Sequence, residues 1–212
     1  HGIGRRQRQM CIRDRCENID WNVGRLMKKL EDLKIADNTI VIYFSDNGPN
    51  GYRWNGDMKG KKGTVDEGGV RSPCFIRWPD KIRAGSETDT ITGSIDLKPT
   101  LLDVAGIRDT GGLPMDGVSL KALLFEDAEE WPDRFYINHF NGKTSVRSQR
   151  FRLGFKGGLY DMQNDPGQRL DVRDTFPMVY RKLTAAGENF KREVVGELPP
   201  GKDERPFTIG HH

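Results

Sequence analysis

One six-residue run limits this chain's architecture more than any other feature. Thr39-Ile40-Val41-Ile42-Tyr43-Phe44 is apolar and largely β-branched, with no polar alternation. A strand with one wet face alternates at period two, whereas a strand covered on both faces by helices reads as a continuous run. The run predicts a strand inside a largely parallel sheet, and so an α/β fold. Just upstream, Ile19, Val23, Leu26, Leu30 and Leu33 recur at steps of four and three, which predicts a helix from about Asn18 to Lys34.

Further elements follow. Cys74-Phe75-Ile76-Arg77-Trp78 reads as a second strand, stopped by Pro79. Asp96 is placed to cap a helix through Leu97, Leu101, Leu102 and Ala105, closed by Gly106. Ser119 is placed to cap a shorter helix carrying Leu120, Leu123 and Leu124. After about Trp131 the period changes to two. Phe135 and Ile137, then Phe151, Leu153 and Phe155, alternate, with Gly157-Gly158 as a turn, so a small antiparallel sheet with one wet face is predicted. A last helix near Pro177 to Arg192 lines up Val179, Leu183, Ala186 and Phe190. The expected organisation is a disordered or artefactual basic arm (1–15), an α/β portion (16–130), an antiparallel sheet with a helix (131–193) and an irregular, truncated tail (194–212).

Charge excludes one class of partner. The net charge of +3 arises in residues 1–15, where five arginines face one acid, Asp14. The remainder is nearly neutral and leaves no excess for a basic face, so nucleic acid is not an expected partner. No run approaches the ~18 apolar residues of a membrane span. Cys11, Cys16 and Cys74 are not at C-x-x-C spacing and support neither a disulfide framework nor a zinc site. The chain begins at His1 with no apolar signal region, which leaves a missing start and a cytosolic protein both open.

The chemistry-bearing residues cluster after the apolar run. Ser45-Asp46-Asn47-Gly48 follows it directly, and ligand sites of open α/β sheets gather beyond the carboxyl ends of strands. Asp46 and Asn47 offer hard oxygens of the kind calcium or magnesium takes, although Asp-Asn-Gly also makes a plain turn. Gly60-Lys61-Lys62-Gly63-Thr64 departs from the P-loop pattern in both glycine spacing and its final position. What remains is a lysine pair between glycines, either a holder of an anionic oxygen or a solvated charge run. Glu67 and Arg71, four apart across two glycines, predict a structural ion pair. No G-x-S-x-G elbow exists, and His139 reads as a surface residue.

Together these segments resemble the sulfatase family. Asn38 through Gly48 resembles that family's second metal-binding segment, and Lys61-Lys62-Gly63-Thr64-Val65-Asp66-Glu67-Gly68-Gly69-Val70-Arg71-Ser72-Pro73 resembles its lysine loop. Ile95 through Ile107, and Leu159-Tyr160-Asp161 through Asp165-Pro166-Gly167, match in order, so the resemblance covers roughly residues 17–190. It implies an alkaline-phosphatase-like α/β sheet with flanking helices, incomplete here, plus a small antiparallel C-terminal subdomain. It also implies arylsulfatase-like hydrolysis of sulfuric esters at a calcium site, with magnesium as the alternative ion. Asp46 and Asn47 match metal ligands, and Lys62 matches the catalytic lysine that contacts the sulfate.

The family's nucleophile is a formylglycine made in C/S-x-P-x-R, accompanied by an early Asp pair. Neither occurs here, and Cys11-Ile12-Arg13-Asp14-Arg15 has arginine in place of the proline. The expectation is therefore a C-terminal part of a sulfatase, inactive alone. Its substrate would be a sulfated small molecule or carbohydrate and its compartment periplasmic or secreted, with no membrane or nucleic acid as partner. A phosphate or phosphonate ester hydrolase of the same superfamily, or a non-catalytic binding module, are the alternatives.

Overall fold

The computed structural model describes residues 5–52, 54–108, 111–126 and 131–199, with side chains from residue 13 onward. It divides into two compact units.

The first unit takes residues up to Tyr43 together with Phe75–Glu87. Helix α1 spans Arg5–Asp32, thirteen residues earlier than the apolar stripe predicts. The segment expected to be a disordered arm is thus helical from Arg5. Arginine and glutamine are good helix formers even where no apolar face recruits them, and Arg13 pairs with Glu17 one turn on. The stripe itself lies open, with Ile19, Leu26 and Leu33 all exposed. Strand β1 (Val41–Phe44) pairs with β2 (Cys74–Arg77) in a two-stranded sheet. Tyr43 and Phe75 meet there with ring centroids 6.3 Å apart, and Trp78 Nε1 donates to the Asp37 carbonyl at 2.9 Å. Among the described residues the expected covering of β1 on both faces is absent. Val41 and Ile42 are half-buried while Tyr43, Phe44 and Phe75 are exposed, and among the described residues β2 is the one strand paired with β1.

The second unit takes Phe44–Cys74 and the described residues from Thr88 onward. The division differs from the boundary expected near residue 130, since the loop after β1 clusters with the C-terminal sheet. That sheet is antiparallel, in the order β3 (Tyr136–Phe140), β4 (Lys143–Arg147), β5 (Phe151–Leu153) and β6 (Leu159–Asp161). Helix α5 (Pro177–Glu193) has proline in its first turn, where the missing N–H has no partner to lose. It lays Leu183 on Val146, Phe151, Leu153 and Leu159, and Phe176 packs on Phe151 at 4.9 Å.

The other face of this sheet is not wet. Ser145, Arg147 and Arg152 lie on the face away from α5, yet all three are buried, Arg152 to 2% exposure. The loop that follows β1 covers them.

Helix α3 (Leu97–Val104) ends in a Schellman motif. The Ile107 N–H reaches the Leu102 carbonyl, the Gly106 N–H reaches Asp103, and Gly106 takes φ 66°. Asp96 precedes α3 without capping it. A 3-10 turn over Ser94–Asp96 places Asp96 in helical conformation, and its fully buried carboxylate turns outward instead. It accepts from the Gly93 and Val118 N–H groups at 2.9 and 3.0 Å, from Arg134 at 2.7 Å and from the Tyr136 hydroxyl at 2.5 Å. Helix α4 (Lys121–Phe125) starts one residue later than expected, with Ser119 Oγ still accepting the Lys121 N–H.

Candidate active site at the lysine loop

The loop from Ser45 to Ser72 folds on itself because three glycines, Gly48, Gly68 and Gly69, let backbone meet backbone. The Gly48 N–H donates to the Gly69 carbonyl at 2.9 Å, and the Lys62 N–H donates to the Pro49 carbonyl at 2.9 Å. The Gly68 N–H donates to Lys59 at 2.7 Å, and Ser72 Oγ closes the base on the Ser45 carbonyl at 2.7 Å. A methyl group at Gly48 would overlap the Gly68 carbonyl, and one at Gly69 would overlap the Thr64 carbonyl. Gly48→Ala is therefore expected to destabilise the chain by about 1–3 kcal/mol, the usual cost of overpacking. Urea unfolding of the variant beside wild type measures this, and an unchanged midpoint would contradict the interlock.

This folding sets the Asp46-Asn47 segment beside the lysine loop. Asp46 is exposed, Asn47 half-buried and Lys62 exposed. Among the described residues no side-chain hydrogen bond or ion pair engages any of the three. The two neighbouring lysines, Lys59 and Lys61, each lie against other side chains, although Lys59 stays exposed. Lys59 lies 3.8 Å from Asp66 and 5.2 Å above the Tyr160 ring. Lys61 is half-buried, 5.1 Å above the Tyr52 ring. Among the described residues, Lys62 is the cation of the loop left without such a contact.

Beneath Lys62 the loop is bolted to the polar face of the sheet. Lys61 and Thr64 close a tight turn: the Thr64 N–H donates to the Lys61 carbonyl at 3.0 Å, and the Lys61 N–H returns to Thr64 Oγ1 at 3.2 Å. The next three residues are held from outside. The Val65 carbonyl accepts from Ser145 Oγ at 2.6 Å and from Arg152 at 2.9 Å. Glu67 opens the single turn α2 (Glu67–Val70), and its carboxylate accepts from Arg152 Nη2 at 2.8 Å and Nε at 3.0 Å. Arg147 adds a bond at 3.3 Å.

The expected partner, Arg71, stands 3.8 Å off and is mostly exposed, so it is a minor contributor. Burial would push the Glu67 carboxyl up, but the charges of Arg152 and Arg147 and the Arg152 hydrogen bond outweigh it and hold the group below its ordinary range. Sequence reasoning placed Glu67 in a structural pair but missed Arg152, Ser145 and Gln168. Their one visible signal was a charged residue between Phe151 and Leu153, which alternation explains equally well by solvent.

Asp46 and Asn47 are chemically suited to a hard cation, as two oxygen donors with no competing partner among the described residues. They are two of the 6–8 oxygens calcium takes. No group of three or more His, Cys, Asp or Glu gathers for a metal among the described residues. His139, expected at the surface, is half-buried, with Nδ1 2.7 Å from Thr144 Oγ1. No helix among the described residues is long and apolar enough to cross a membrane.

Comparison with known proteins places these features in context. Residues 10–107 match the family described as Sulfatase, and residues 60–186 match N-sulphoglucosamine sulphohydrolase, C-terminal. Human steryl-sulfatase is 32% identical, over 92% of this chain and 40% of its own length. An N-acetylglucosamine-6-O-sulfatase of Bacteroides thetaiotaomicron is 31% identical, over 73% of this chain and 30% of its own. The crystal structure of a Pseudoalteromonas sp. sulfatase shares the fold at a TM-score of 0.73 and 22% identity, over 85% of this chain and 42% of that one. A protein solved with its substrate D-glucosamine-2-N,6-O-disulfate has a TM-score of 0.63 and 27% identity, covering 89% of this chain and 40% of that one. The chain spans about two fifths or less of the length of the curated relatives it matches.

Proposed function

The chain belongs to the sulfatase family, and from that premise we propose that the whole protein hydrolyses sulfuric esters, with Lys62, Asp46 and Asn47 in its active site. One observation supports the assignment above the rest. The bond from the Lys62 N–H to the Pro49 carbonyl sets the lysine loop beside Asp46 and Asn47, while all three side chains stay free of other partners among the described residues. Two relatives point to the substrate class. One is named an N-acetylglucosamine-6-O-sulfatase, and another was solved with a disulfated glucosamine as its substrate. A sulfated carbohydrate is accordingly our proposed substrate.

In this reading Lys62 binds a sulfate oxygen through a compact ammonium charge. It stabilises the negative charge that grows on the sulfuryl group and leaving oxygen as the ester bond breaks. Asp46 and Asn47 would hold a cation through their side-chain oxygens, calcium or in its place magnesium. When bound, that ion supplies a second fixed positive charge at the sulfate. The formylglycine nucleophile falls outside these 212 residues, which contain no C/S-x-P-x-R segment.

The test is turnover of sulfate esters by the complete reading frame that contains these residues. Lys62→Ala is expected to lower kcat by about 10²–10³, the scale of losing one transition-state charge contact, with no change in melting temperature. Lys59→Ala, which breaks the pair with Asp66, is expected to do the reverse: a lower melting temperature and a small effect on kcat. Equal losses of turnover in the two variants would remove the case for Lys62.

A further inference from the structure

We propose that Gln168 is a positioning residue that sets the lysine loop at its working height. The proposal deepens the sulfatase reading of Lys62 and rests on it.

Gln168 ends the turn Asp165-Pro166-Gly167-Gln168 beyond β6, with its N–H donating to the Asp165 carbonyl at 3.0 Å. Its φ is 51°, the left-handed region that favours glycine, yet the residue is 4% exposed and carries a long polar side chain. Both ends of that side chain are used on the loop. Oε1 accepts the Glu67 N–H at 3.0 Å, and Nε2 donates to Asp66 Oδ1 at 3.3 Å.

Asp66 occupies the N-cap position of α2, but its side chain caps no N–H of that turn. The Gln168 oxygen takes the orphan Glu67 N–H in its place, from 101 residues away. A backbone held in a disfavoured conformation persists where its surroundings require it, and here what needs that conformation is the amide.

The coupling to Lys62 is short and stiff. Asp66 lies four residues past Lys62, and the Lys61–Thr64 turn fills the interval with its own reciprocal bonds. The Gln168 side chain bonds Glu67 and Asp66 rather than Lys62. It fixes the backbone from which the ammonium is presented.

Glycine at 168 separates this role from a structural one, because it relieves the left-handed backbone while deleting the amide. In the complete enzyme, Gln168→Gly is expected to keep a cooperative melt close to wild type and to lose about 10- to 100-fold in kcat, the cost of an ångström-scale misplacement. KM should change much less. Hydrogen exchange supplies a readout independent of turnover, with the Glu67 amide losing protection in Gln168→Gly. Gln168→Ala, which keeps the backbone strain, should match it in kcat and exchange but melt lower.

Unchanged protection at Glu67 overturns the proposal outright. Unchanged kcat in Gln168→Gly, in an enzyme that Lys62→Ala disables, overturns it as well. If Lys62→Ala is harmless, the sulfatase reading of that lysine falls instead, and the exchange result alone decides whether Gln168 holds the loop.

Discussion

Arg152→Met is expected to lower the unfolding free energy of the chain by about 3–5 kcal/mol, the cost of breaking one side of a buried ion pair. The substitution keeps much of the side-chain volume and removes the charge. It takes both Arg152 bonds at once from the Glu67 carboxylate, which is 4% exposed and keeps only the longer contacts of Arg147 and Arg71. The Val65 carbonyl and Ser145 Oγ lose a donor in the same step. Replacing Glu67 by Gln together with Arg152 by Met should cost less than the sum of the single changes, because neither partner is then left charged and alone. Urea unfolding followed by circular dichroism measures all three variants, and a loss below 1 kcal/mol in Arg152→Met would contradict the network.

The same pair gives a pH signature. The Glu67 pKa is lower in the folded chain than in the unfolded one. Its contribution is therefore complete above the ordinary carboxylate range and is lost as pH falls through the folded value. Glu67→Gln should flatten that acid limb.

Asp96→Ala should cost a similar 3–5 kcal/mol and lower the melting temperature by roughly 6–20 °C for a chain of this size. Four donors converge on this one carboxylate, which has no exposed surface. Truncation leaves the Tyr136 hydroxyl and two backbone N–H groups without this acceptor, and Arg134 with only its longer bond to the Asp116 carbonyl. Burial raises the Asp96 pKa, but the Tyr136 hydroxyl, the Val118 and Gly93 N–H groups and Arg134 outweigh it and hold the carboxyl below its ordinary range. Burial also pushes Tyr136 up, and its bond to Asp96 adds to the shift, so the phenol stays protonated and donating. Differential scanning calorimetry of the variant reads the effect, and a melt within 2 °C of wild type would count against Asp96 as the junction of these segments.

Sequence patterning reached the elements whose partners are nearby or apolar. Val179, Leu183 and Ala186 repeat at helical spacing because α5 buries one stripe, and Phe151 and Leu153 alternate because β5 faces that stripe. The Ser45–Gly48 corner was legible because a strand end and a glycine are both local signals. The polar seat of the loop was not. Alternation says that Ser145, Arg147 and Arg152 share a face but not what lies over it, and arginine between two apolar residues normally means water. Asp96 misled for a related reason. As a short acid ahead of a helical run it carries the signature of a cap, while its acceptors serve residues up to 40 positions away. The beginning of α1 was missed because arginine and glutamine extend a helix without marking it by any apolar period.

The long reach of those bonds also sets the order in which this region is completed during synthesis. Glu67 finds Arg152 across 85 residues and Gln168 across 101. At about 5–20 residues per second on the ribosome, the Lys62 segment leaves the exit tunnel roughly 5–20 s before the last of its supports. Over that interval its glycines can close their local turns, but the carboxylates of Asp66 and Glu67 remain hydrated and the loop has no seat. The lysine's surroundings are assembled last, when the turn after β6 arrives. A nascent chain arrested before residue 168 would carry every residue of the proposed site and still lack the support that holds it in place.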